Sequence, residues 1–119
     1  MITRINRLTL LTANLAACLK FYTGLGFEVT EKRGRYELAA KTFRISVEVL
    51  GRQIPPHAAN IQCGTLEFCL AVDVPLESLA EELAAKNIHP EKKIARTAGR
   101  MIFRDPDGNM IEFVSALRK

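Results

Sequence analysis

The chain has 119 residues, 48% of them apolar and 25% charged, the proportions of one folded domain rather than of a disordered or fibrous chain. Its net charge of +4 and pI near 9.2 invite a nucleic-acid reading. The cations are scattered, Trp is absent and few aromatics are interleaved with Lys or Arg, so no nucleic-acid partner is expected. No apolar run reaches membrane-spanning length and Met1 to Ile5 lack the layout of a secretion signal, so the expectation is a soluble, cytoplasmic protein without a membrane partner.

Arg4 to Leu11 alternates, with Leu8 and Leu10 on one face and Arg7 and Thr9 on the other, which predicts a half-buried strand. Asn14 is a helix N-cap, followed by Leu15, Cys18, Leu19 and Tyr22 at helical spacing, and Gly24 and Gly26 stop that helix. Phe27–Thr30, Tyr36–Ala40 and Phe43–Leu50 read as strands, joined by turns at Lys32 to Arg35 and at Lys41-Thr42. Residues 51–64, with Pro55-Pro56 and little periodicity, form a connector.

The order then recurs. Leu66–Val72 alternates as a strand, Pro75 suits a first helical turn, and Leu76, Leu79, Ala80 and Leu83 form an apolar stripe running up to Asn87. A polar stretch, Glu91 to Gly99, precedes strands at Met101–Arg104 and Met110–Val114, joined by the turn Asp105-Pro106-Asp107-Gly108-Asn109. The expected fold is α+β: one domain of two tandem βαβββ units, about 1–50 and 65–119, forming a curved mixed sheet around a cleft.

Four charges interrupt apolar strands: Arg7, Glu48, Glu67 and Glu112. The repeat pairs Arg7 with Glu67 and Glu48 with Glu112, and alternation turns all four away from the helix-facing residues, toward the cleft. Carboxylates in a concave site need a cation, either a divalent metal or the Arg7 guanidinium. Thr9, Ser46, Cys69 and Met110 share the same face as candidate ligand-binding residues; Tyr36 is a further candidate whose direction the pattern does not set. The three cysteines, Cys18, Cys63 and Cys69, form no CxxC and are read as reduced thiols used as small apolar residues, with Cys69 as core filler rather than nucleophile. His57 and His89, each beside proline, are expected to be exposed and to ligate nothing.

The stretch from Phe103 through Arg104-Asp105-Pro106-Asp107-Gly108-Asn109 to Phe113, with Leu19 to Tyr22 leading into Leu25-Gly26-Phe27, resembles the vicinal oxygen chelate superfamily of glyoxalases, bleomycin-resistance proteins and extradiol dioxygenases. The resemblance runs over the whole chain, and its pattern is nearest to small single-domain glyoxalase-domain proteins. It implies a metal site whose ligands match Glu48, Glu67 and Glu112, with Glu112 also the candidate catalytic base. Its fourth ligand position, usually His, falls on Arg7, which carries a permanent charge and cannot ligate. The expected function is therefore binding of a small, anionic molecule in the cleft with no cofactor, Arg7 bridging the glutamates in place of the metal. The alternative is a lyase, isomerase or dioxygenase using Mg, Mn, Ni, Zn or Fe. The resemblance further implies a homodimer and a loop at Glu91 to Arg100 that borders the substrate site; with Lys92, Lys93, Arg96 and Arg100 it reads either as a solvated loop, the favoured reading, or as a flap over the cleft that attracts an anion.

Overall fold

The computed structural model describes residues 1–91 and 99–116. Strand β1 (Arg7–Thr12), helix α1 (Leu15–Gly24) and strands β2 (Glu28–Lys32), β3 (Arg35–Ala39) and β4 (Arg44–Val49) make the first half. Strand β5 (Glu67–Val72), helix α2 (Leu76–Ala84) and strands β6 (Arg100–Arg104) and β7 (Met110–Ser115) make the second. The fold is α+β, as the alternation of periods predicts. There are two mixed sheets, ordered β1-β4-β3-β2 and β5-β7-β6, each with its first and last strands paired in parallel. Among the described residues the second half thus carries one strand fewer than the first, and most of the stretch read as a solvated loop or a flap, including Lys92, Lys93 and Arg96, lies outside them.

Each boundary has a local cause. The Asn14 side chain accepts from the Ala17 N–H, and α1 closes when Gly26 (φ 106°) lets the Phe27 N–H turn back to the Tyr22 carbonyl. Pro75 caps α2 rather than occupying its first turn, and the helix ends at Ala84 because Asn87 takes a positive φ of 61°. Arg4, Ile5 and Asn6, predicted as strand, are exposed and precede β1, because β4, its ladder partner, begins at Arg44 beside Arg7.

The faces divide as alternation requires. Leu10, Leu38, Ile45 and Val47 of the first sheet gather with Cys18 and Tyr22 of α1. Phe103, Ile111 and Phe113 of the second gather with Leu79 and Leu83 of α2, and all of these belong to one buried cluster. No helix among the described residues is long and apolar enough to cross a membrane.

Candidate functional site

The opposite face of the first sheet is polar, and the ladders arrange it in rows. Thr9 lies beside Ser46, Ser46 beside Glu37, and Glu37 beside Thr30, so four polar side chains run straight across the sheet. On one side of that row Arg7 lies beside Arg44; on the other, Leu11 lies beside Glu48, and Lys32 beside Arg35. Pro56, His57 and Ile61 of the connector, and Leu66 just beyond it, line the same face and with it a cleft of about 900 Å³.

Of the predicted site residues, Arg7, Thr9, Ser46 and Glu48 line this cleft, as do Tyr36 and the exposed His57. Glu67, Cys69, Met110 and Glu112 do not: they share one face of the second sheet, Glu67 beside Met110 and Cys69 beside Glu112. Of the four interrupting charges, this cleft therefore gathers Arg7 and Glu48, while Glu67 and Glu112 stand on the other sheet and do not line it. The repeat alignment also shifts. Arg7 lies beside Arg44, with Glu48 four residues farther along β4, whereas Glu67 lies beside Met110, with Glu112 only two residues farther along β7. If Arg7 matches Glu67, then Ser46, not Glu48, matches Glu112. A slip of two residues keeps every side chain on its face, so alternation alone is blind to it.

The electrostatics differ from expectation in the same way. Arg7 makes no ion pair among the described residues. One Glu48 carboxylate oxygen accepts from the Ile54 N–H at 2.9 Å, while Glu112 pairs with Arg100 at 2.8 Å. The predicted bridging of the glutamates by Arg7 is thus replaced by local partners for two of them. Cys69 is exposed rather than buried filler; partial burial and then the neighbouring Glu112 carboxylate, which it hydrogen-bonds, raise its thiol pKa, against the opposing pull of Arg100. Cys18 is the cysteine that fills the core.

The donor set does not fit the metal of the resemblance. Among the described residues no group of three or more His, Cys, Asp or Glu side chains is placed to hold an ion. Glu48 and Glu112 already hold a backbone N–H and a guanidinium, and an arginine stands at the first-strand position.

Sequence reasoning missed the hairpin that carries cations to the cleft. Lys32-Arg33-Gly34-Arg35 reads as a turn in the sequence, yet Lys32, Arg33 and Arg35 all line the cleft, together with Arg44. The signal was present in their spacing: in a two-residue hairpin, Lys32 and Arg35 face each other across the strands and lie in phase with Thr30 and Glu37.

The closing turn has a different role. The Asp105 carboxylate, 5% exposed, accepts from the Asp107 and Asn109 N–H groups at 2.9 Å each, from the Asn109 side-chain amide at 2.8 Å and from the Tyr22 hydroxyl at 2.6 Å. Asp107 accepts from the Thr12 hydroxyl at 2.6 Å and the Ala13 N–H at 2.9 Å, and Asn109 accepts from the Leu66 N–H at 2.9 Å. These bonds clamp the second half's turn to β1 and α1 of the first. Gly64 belongs to the clamp, since with φ 76° a Cβ there would collide with the Asp107 carbonyl. A buried Tyr hydroxyl requires a partner, which was the available clue to Tyr22.

The comparisons agree with this architecture. A protein from the mobile metagenome of V. pseudocholerae is 27% identical, with 99% of this chain and 98% of that one covered and a TM-score of 0.87. Lower identity accompanies the same fold in a lactoylglutathione lyase from Agrobacterium tumefaciens (20% identity, 97% and 95% covered, TM-score 0.74). It does so again in an antibiotic binding protein from a Streptomyces species (16% identity, 96% of each chain covered, TM-score 0.71). Residues 4–113 match a family as well, and the chain belongs to the Glyoxalase/Bleomycin resistance protein/Dioxygenase superfamily.

Proposed function

We propose that the cleft on the first sheet binds a small anionic molecule, which the protein sequesters or senses without a metal. The observation that carries this reading is Arg7, a cation with no ion-pair partner among the described residues, beside Arg44 on a cleft of about 900 Å³. Arg44 already pairs with Glu37 at 3.6 Å, so the Arg7 guanidinium is the one left to an added anion, and its planar fork suits carboxylate and phosphate oxygens. The hydroxyls of Thr9 and Ser46 in the next row supply neutral hydrogen bonds to the rest of the molecule. A fold shared by an antibiotic binding protein and a lyase serves both binding and catalysis, so the choice rests on the site itself. Here Arg7 at the first-strand position favours binding.

The test has two arms. Titration with acetate and inorganic phosphate is expected to shift the amide resonances of Arg7 to Leu11 and Arg44 to Glu48, and Arg7→Gln is expected to weaken that response about tenfold. Shifts confined to other segments overturn the assignment of the cleft. Calorimetric titration of chelator-treated protein with Mg²⁺, Mn²⁺, Ni²⁺ and Zn²⁺ is expected to reveal no stoichiometric site tighter than about micromolar; such a site would restore the metal-dependent alternative.

A further inference from the structure

The cations of the cleft fall into two groups. Arg7 and Arg44 sit side by side at one end, and Lys32 and Arg35 sit side by side at the other. Ala39 lies beside Arg44 and Arg35 is four residues back along β3, so the groups are about 13 Å apart along the strand. Each group juxtaposes like charges on neighbouring strands, an arrangement that costs stability unless something negative joins it. Only Arg44 has an internal counter-charge, Glu37 at 3.6 Å; Arg7, Lys32 and Arg35 have no ion pair among the described residues.

The turn between Lys32 and Arg35 adds an independent observation. Arg33 and Gly34 have φ of 56° and 78°, the backbone of a tight hairpin turn whose first position favours Asn, Asp or Gly. An arginine there is strained in the left-handed region, yet it places a third cation on the rim at that end.

The space between the groups has a different character. Thr9, Ser46 and Thr30 are neutral, and the Glu37 carboxylate sits among them. A negative charge on the middle of a ligand would meet Glu37. At the hairpin end Glu48 is the only acidic neighbour lining the cleft among the described residues, and one of its oxygens is occupied by the Ile54 N–H.

We infer that the cleft takes an elongated molecule with an acid group at each end and a neutral, hydrogen-bonding middle. One acid seats on Arg7 and Arg44, the other on Lys32 and Arg35. This rests on the reading of the cleft as an anion site and names the class of anion it selects. Two tethered charges bind as one, the second contact becoming intramolecular when the tether matches the span.

The probes are α,ω-dicarboxylates of increasing chain length, each set against the monocarboxylate of the same length to cancel the apolar contribution, with affinities from amide-shift titration. Dicarboxylates near the matching length are expected to bind at least about tenfold tighter than their monocarboxylates, with shifts at both Ser46 and Arg35. In a K32Q/R35Q variant, altered only at exposed positions, that gain is expected to vanish while monocarboxylate shifts at Thr9 and Ser46 persist. Equal affinities of the two series at every length, with those shifts retained, overturn the two-ended inference and leave the anion site standing. Absence of any shift in the cleft with either series overturns both.

Discussion

The Asp105 turn and the cleft of the first sheet handle charge in opposite ways. At the turn, a carboxylate that is almost wholly buried has four donors within 2.9 Å, all from the protein. In the cleft, Arg7, Lys32 and Arg35 make no ion pair among the described residues and lie open to solvent. A buried charge must be satisfied internally or the fold fails, because desolvation penalises every unmade bond. An exposed charge carries no such obligation, so unpaired cations at the two ends of the cleft are tolerated and are available to a ligand. The most recognisable motif of this chain is therefore architecture, and the binding proposed above rests on the less conspicuous hairpin and on Arg7.

The largest expected effect comes from breaking the closed side of this comparison. Asp105→Ala strips the acceptor from four donors and is expected to cost about 3–5 kcal/mol in urea denaturation, since buried groups left unpaired lose more than the bonds themselves. A loss below about 1 kcal/mol would mean that the turn is not a clamp.

Next is a pH dependence seated beside the same clamp. Burial pushes the Cys18 thiol from 9.0 up to about 12, with Asp105 and Asp107 adding to the rise and the Thr12 hydrogen bond opposing it. Burial, and then the hydrogen bond to Asp105, raises the Tyr22 hydroxyl as well. An acid held protonated in the folded state while its unfolded counterpart ionises binds more protons when folded. Stability is therefore complete below about pH 9 and falls as pH rises toward 12, by roughly 1.4 kcal/mol per pH unit for Cys18. Urea midpoints measured from pH 8 to 11 are expected to fall, and less steeply in Cys18→Ala; identical slopes would refute the assignment to Cys18.

The smallest effect has the opposite sign. Arg7→Gln removes one of two adjacent like charges and no internal bond, so it is expected to leave the unliganded protein unchanged or about 0.2–1 kcal/mol more stable, while weakening anion binding as described above. If thermal unfolding instead shows Arg7→Gln destabilised by more than about 1 kcal/mol, the side chain has a structural partner and the contrast between the two regions collapses.

Much of the fold was legible because its signals are local. Alternation placed Leu8 and Leu10 against Arg7 and Thr9, Asn14 announced the first helix, and Gly26 its end. The motif around Asp105 carried the family. Less of the site was legible. Glu48 and Glu112 look equivalent along the chain, yet each is held by a neighbour that spacing does not reveal, Ile54 in one case and Arg100 in the other. Cys69 looked like core filler because its neighbours are apolar, but its parity turns it outward beside Glu112.

By itself the sequence determined which residues form strands and helices, which side of each strand is apolar, and to which superfamily the chain belongs. Period, capping and turn chemistry act over a few residues, so they survive without knowledge of the partners. Only the tertiary structure decided register, and with it the row Thr9–Ser46–Glu37–Thr30, the separation of Arg7 from Glu67 and Glu112, and the meeting of Tyr22 with Asp105. A two-residue slip leaves every face unchanged while giving each charge a new neighbour, and a charge takes its role from its neighbours.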